Sequence, residues 1–182
     1  MKKFLFLVSA VLMFALPAVN AQNVKTSNEL AKLKKVDLSL ENPKKNGKAA
    51  TWLAHGKAYT EAYILPTKEI GAGVPVQVLQ MNVGEPQGMY EGEFQGAPVF
   101  VLDYEYVDIY VNPANYLIEG WNQKKAIKEN LVTTAIASLT KAYQMDPKIE
   151  SKVASVALNL ANALMQQGDA LNAVGRIMES AE

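Results

Sequence analysis

The chain has no cysteine and only one histidine in 182 residues. Without cysteine there is no disulfide framework, no thiolate metal site and no thiol nucleophile. The single histidine, His55, has no second imidazole with which to hold a metal. An excess of charge of one sign is also missing, with 18 basic and 18 acidic residues. No basic field exists to draw nucleic acid or an anionic membrane. The 11 glycines do not form a phosphate cradle. Neither G-x-G-x-x-G after a strand nor G-x-x-x-x-G-K-[ST] occurs, and no catalytic-serine or zinc-protease signature is present. The sequence therefore gives no grounds to expect an enzyme, a metal or a cofactor.

Long apolar runs are scarce too, and the one present is at the start. Lys2-Lys3 is a basic leader, Phe4 to Leu16 is apolar, and Val19-Asn20-Ala21 is a small-residue cleavage site before Gln22. This reads as a secretory signal peptide over 1–21, too short and wrongly flanked for a membrane helix. With no cysteine at the site, a lipid-anchored form is excluded. The mature chain, 22–182, is expected in the periplasm or outside the cell, with no membrane span. Loss of Lys2 and Lys3 leaves sixteen basic against eighteen acidic residues, and the remaining length suits one domain with a sizeable core.

What is present alternates between helical and extended patterns. Thr26 to Leu40 reads as a helix capped by Ser27, with Leu30, Leu33, Val36 or Asp37, and Leu40 on one stripe. Lys25, Lys32, Lys34 and Lys35 make a solvated face, and Asn42-Pro43 ends the helix. Ala49 to Tyr63 is the next helix. From about Gly71 to Asn122, glycines and prolines punctuate runs rich in β-branched and aromatic residues, namely Val76–Met81, Met89–Phe94, Val99–Val111 and Tyr116–Trp121. These predict a meander of three or four antiparallel strands. Helical period returns from Lys125. Ile127, Leu131, Ala135, Ser138, Leu139 and Ala142 form a stripe that stops at Asp146-Pro147, and Val153, Val156, Ala157, Leu160, Ala161 and Leu164 form a second.

Two separated stretches fit one pattern. Trp52-x3-Gly56-x2-Tyr59 matches a first helix, and Ala135, Leu139, Ala142 and Pro147 match a second. Together they resemble a tetratricopeptide repeat. Gly56 would let the second helix approach, Trp52 and Tyr59 would share a face, and His55, standing where the pattern has leucine, would be a packing residue. With the leader, the lysine-rich helix and Ala142-Tyr143-Gln144-Met145-Asp146-Pro147, the chain resembles an exported bacterial tetratricopeptide family. The resemblance implies an α+β fold of TPR-like antiparallel helical hairpins interrupted by a small antiparallel β-meander insert at about 71–122. A second repeat over 150–182 has two registers. In the first, Leu164-x2-Gln167-Gly168-x2-Leu171 is a first helix and Gly175 marks a turn, so the chain stops inside the repeat. In the second, Val153–Leu160 and Ala170–Ala181 pair. An open repeat end implies a fragment, or self-association through the C-terminal end.

The resemblance also implies function. Tetratricopeptide repeats present a groove to a peptide or protein, here an unknown envelope protein or peptide. The groove face would include Leu53, Lys57, Thr60 and Glu61, with Lys57 and Glu61 setting polarity at the rim. The alternative is a ligand- or glycan-binding module using an aromatic face of the insert, Tyr104, Tyr106, Tyr110, Tyr116 and Trp121. By strand alternation Tyr104, Tyr106 and Tyr110 would share one face and Asp103 and Glu105 the other. Those acids, with Asp108, Glu91 and Glu93, could serve as paired carboxylates but fit the solvent face of a sheet equally well.

Overall fold

The computed structural model describes residues 18–179, with side chains over 25–168. The leader expected over 1–21 lies outside the described residues except for its last four. Chain order is helices, then sheet, then helices: α1 (Ala18–Glu41), α2 (Pro43–Asn46), α3 (Ala49–Ile64) and α4 (Val76–Val83), then β1 (Gly88–Phe94), β2 (Ala97–Asp103), β3 (Val107–Val111) and β4 (Ile118–Gln123), then α5 (Leu131–Met145) and α6 (Glu150–Glu179). A 3-10 turn, Pro147–Ile149, joins α5 to α6, with the Asp146 carboxylate accepting from Lys148 N–H at its start.

The expected TPR-like hairpins with a sheet inserted between them are not what this chain builds. The helices flank the sheet in an α-then-β-then-α order. α3 packs on both α1 and α5, and α6 touches α3, α5 and β4. Nor does a second hairpin form at the C-terminal end in either register. Glu150–Glu179 is one unbroken helix, and both Gly168 and Gly175 lie inside it. The physical reason is the absence of a breaker. No proline follows Pro147, and a lone glycine weakens a helix by about 1 kcal/mol without ending it.

The sheet is an antiparallel meander in the order β1-β2-β3-β4. Its boundaries correct the sequence reading in two places. Val76–Met81 is helix, because Val76 and Leu79 are buried one helical turn apart and Gly84, at φ 91°, ends the element. Val99–Val111 is two strands, because the chain turns at Tyr104-Glu105-Tyr106, where Tyr104 N–H donates to Val107 O at 3.0 Å. Helix α1 starts before Thr26, so Ser27 is not its cap.

Two cores result. Leu33 of α1, Ala58, Tyr59, Ala62 and Tyr63 of α3, Leu131 and Ala135 of α5, and Leu160 of α6 form the helical one. Val76 and Leu79 of α4 cover one sheet face, Leu102, Val107, Ile109, Val111 and Ile118, to form the other. The opposite sheet face carries a smaller cluster, in which Phe94 stacks on Tyr110 at 4.6 Å above Val99 and Val101.

Candidate functional site

α3 and α5 approach closely because Gly56 has no side chain. A Cβ there would lie 2.8 Å from Leu139 Cγ and 3.2 Å from Ala135 O. Ala135 and Ala142 on the facing helix are fully buried. Close contact in turn brings polar groups together inside the helical core. His55 is 5 % exposed, with Nε2 2.9 Å from Asp37 Oδ1 and Nδ1 2.8 Å from Ser138 Oγ. A carboxylate only accepts, so Nε2 carries a proton and donates to Asp37, while Nδ1 pairs with the Ser138 hydroxyl. Tyr59 stacks on the imidazole at 4.6 Å and donates its hydroxyl to the same Asp37 oxygen at 2.8 Å. Lys128 completes the cluster, donating to Tyr59 Oη at 2.6 Å and to Asp37 Oδ2 at 3.1 Å.

The charges in this cluster support one another. Burial pushes Asp37 up, but hydrogen bonds from Tyr59, Lys128 and His55 outweigh it and hold its carboxyl below the usual carboxylate range. The Tyr59 hydroxyl, with Asp37, raises Lys128 against the opposing effect of burial. Burial is the first cause raising Tyr59.

Serine, histidine and aspartate in one hydrogen-bonded line invite comparison with a nucleophile–base–orienter arrangement. Access decides against it. Ser138 is 2 % exposed and sits in the α3–α5 contact, and neither of the two cavities described below has Ser138 or His55 in its walls. The cluster joins α1, α3, the segment before α5, and α5 itself. Within it Ser138 and His55 are closed off, while the Asp37 and Lys128 side chains at its edge are partly exposed. Among the described residues no group of three metal-ligating side chains occurs.

Of these partners only His55 stands out in the sequence. Asp37 and Ser138 carry a faint signal, because each is the polar member of an otherwise apolar stripe. Lys128 carries none.

The open feature of the helical half lies on the other side of α5. A groove of about 340 Å³ runs between α5 and α6, walled by Ile136, Leu139 and Tyr143 on one side and Ala157, Leu160 and Leu164 on the other. Ile136 is 51 % exposed and Tyr143 42 %. Charge is sparse around it. α5 carries Lys141 alone, and Val153 to Gly168 of α6 carries no charged residue at all.

The residues expected at a groove lie elsewhere. Thr60 is buried, its hydroxyl donating to Gly56 O at 3.0 Å. Leu53 is half-buried, Lys57 is exposed, and Glu61 is tied to Lys32 of α1. The remaining residues of the repeat pattern divide. Trp52 donates its indole N–H to Asn46 O, and Pro147 opens the 3-10 turn.

The five aromatic residues do not form one surface. Tyr104 is 1 % exposed and donates to Gly84 O, so burial pushes its hydroxyl pKa up. Tyr116 and Trp121 pack on the α4-covered core, whereas Tyr110 lies on the opposite face. Tyr106, in the turn, lines a separate cavity of about 320 Å³ with Thr26, Glu29, Leu65, Val83 and Ile127. Glu105 leaves the sheet at that turn, while Asp103 and Asp108 face each other across β2 and β3 under the Lys124 ammonium.

Fold and site together define an α+β protein with a buried polar cluster and an open apolar groove. Comparisons with protein-family models, with characterised proteins and with solved structures return no match. Among the described residues no helix is long and apolar enough to cross a membrane.

Proposed function

We propose that this protein is an exported binding module of the bacterial cell envelope that holds a partner protein through an apolar segment laid in the α5–α6 groove. The carrying observation is that Ile136, Tyr143 and Leu164, which line the groove, are 51 %, 42 % and 38 % exposed, while the α6 wall from Val153 to Gly168 carries no charge. A helix facing only water normally has a charged outer face. Depletion of charge around exposed apolar side chains is instead the composition of an interface centre. The occupant that suits this groove is an amphipathic helix or extended segment presenting aliphatic side chains. Export rests on the leader sequence. The glycan alternative has lost the continuous aromatic face it required.

The test is cross-linking in intact source cells with the protein tagged at its own locus, comparing the wild type with an Ile136→Glu/Leu164→Glu variant. One or two dominant proteins should be recovered with the wild type and fall at least about tenfold with the variant, the scale of one lost apolar anchor. An unchanged thermal midpoint would show that the variant is folded. Equal recovery from both, or recovery of nothing from either, would remove the groove as the site.

A further inference from the structure

The outward side of α6 carries a second apolar line beside the groove. Ser151, Ala154, Leu158, Ala161 and Met165 follow at spacings of three and four, and Gly168 continues the series. That is the a/d spacing of a helix seam that pairs with another helix. All but the half-buried Gly168 are exposed. Ser155, Asn159, Asn162 and Gln166 run alongside, exposed and uncharged.

The series reads the same in both directions when small is set against large. About a two-fold axis between Asn159 and Leu160, Ala154 falls opposite Met165, Leu158 opposite Ala161, and Ser151 opposite Gly168. Each of the two bulky side chains thus meets an alanine, and at the ends of the seam serine meets glycine. A parallel pair would instead set Leu158 on itself, Met165 on itself and the alanines across empty gaps. Two-fold contacts require that residue i meet j and j meet i, and this line satisfies that condition. Charge agrees. A face that meets its own copy meets its own charges, and this one has none between Val153 and Gly168.

Gly168 adds an independent observation. A glycine inside a helix costs about 1 kcal/mol relative to alanine. A Cβ at Gly168 would have nothing within 4 Å, so packing among the described residues does not call for glycine there. Glycine there leaves room for the backbone of a second helix to approach.

We infer that α6 pairs with α6 of a second copy of this chain, antiparallel, about a two-fold axis near Asn159. The seam from Ser151 to Gly168 spans about 26 Å at 1.5 Å per residue. A single helix pair of that length is a small contact, for which a weak, concentration-dependent dimer is the expectation. The contact borders the groove at Ala161 and does not depend on what occupies it.

The absence of cysteine makes the test clean. Protein recovered from its own cells should shift from monomer to dimer in sedimentation equilibrium between micromolar and millimolar concentration. Leu158→Lys, at a site too exposed to affect folding, should weaken the association at least tenfold. Ala154→Cys and Met165→Cys chains should each fail to form a disulfide alone, since about 16 Å of helix would separate each cysteine from its copy. Mixed, they should cross-link. A monomer at every concentration, an unaffected Leu158→Lys protein, or cross-linking of either variant alone would overturn the inference.

Discussion

Gly56 shows how much one missing atom decides. Placing alanine there would favour the isolated helix by about 1 kcal/mol. It would also drive a methyl against the Leu139 side chain and the Ala135 carbonyl, and the carbonyl belongs to a helix backbone that cannot yield. Overpacking of this kind costs about 1–3 kcal/mol. Gly56→Ala should therefore be net destabilising, by up to about 2 kcal/mol, read as a lower urea midpoint at an unchanged slope. The need for a small residue at this position was legible in the sequence, because Trp52, Gly56 and Tyr59 stand at helical spacing with Ala135 and Ala142 in reserve. The bonding of His55 was not. Its partners Asp37, Ser138 and Lys128 come from three different segments, and no local spacing announces such a meeting.

At the scale of elements, the sheet contains a conflict that a single lysine resolves. Asp103 and Asp108 are direct cross-strand partners, and like charges in that position are destabilising. Lys124, just beyond β4, contacts both, reaching Asp108 Oδ1 at 3.1 Å. Burial works against its charge, yet the two carboxylates outweigh burial and raise its pKa. Lys124→Met should cost about 1 kcal/mol, and adding Asp108→Asn should restore most of it. Urea unfolding of the single and double variants measures both steps. Helix and strand types were legible where the elements were long. They failed where the run was short or the turn unconventional. Val76–Val83 has eight residues, too few for periodicity to separate helix from strand. The β2–β3 turn uses Tyr104-Glu105-Tyr106, with neither glycine nor proline to mark it. The sequence divides the long α6 because Gly168 fits a repeat-motif position and Gly175 suggests a turn after it, while the continuous run of helix formers around them prevails.

Taken whole, the helical half is tied together by Asp37, His55, Tyr59, Lys128 and Ser138, and its stability should follow pH through them. Asp37 has a depressed pKa in the folded protein, so its contribution is fully present above the ordinary carboxylate value of about 3.9 and is lost as pH falls through the folded value. Lys128 and Tyr59 are raised, so theirs is present below about pH 10 and is lost as pH rises beyond it. Thermal midpoints should hold level between these limits and fall outside them. Asp37→Asn should be less stable than the wild type at neutral pH, and the gap should narrow on acidification below about pH 4. A gap that stayed constant with pH would mean that the Asp37 charge does not contribute.

The sheet also governs how the chain reaches this state. His55 and Ser138 are 83 residues apart, so α3 is synthesised well before the partner that covers its glycine face. At about 5–20 residues per second, that face waits for several seconds without its mate. The meander shortens the search. Gly88 and Asn122 lie in one cross-strand row, with Asp103 and Asp108 between them. Three inter-strand steps of about 4.8 Å place them roughly 14 Å apart once the strands have paired. Sheet formation thus converts a distant encounter between α3 and α5 into a near one. Strand pairing ahead of helix docking is then the expected order, and amides of β1–β4 should gain hydrogen-exchange protection before those of the α3–α5 contact during refolding.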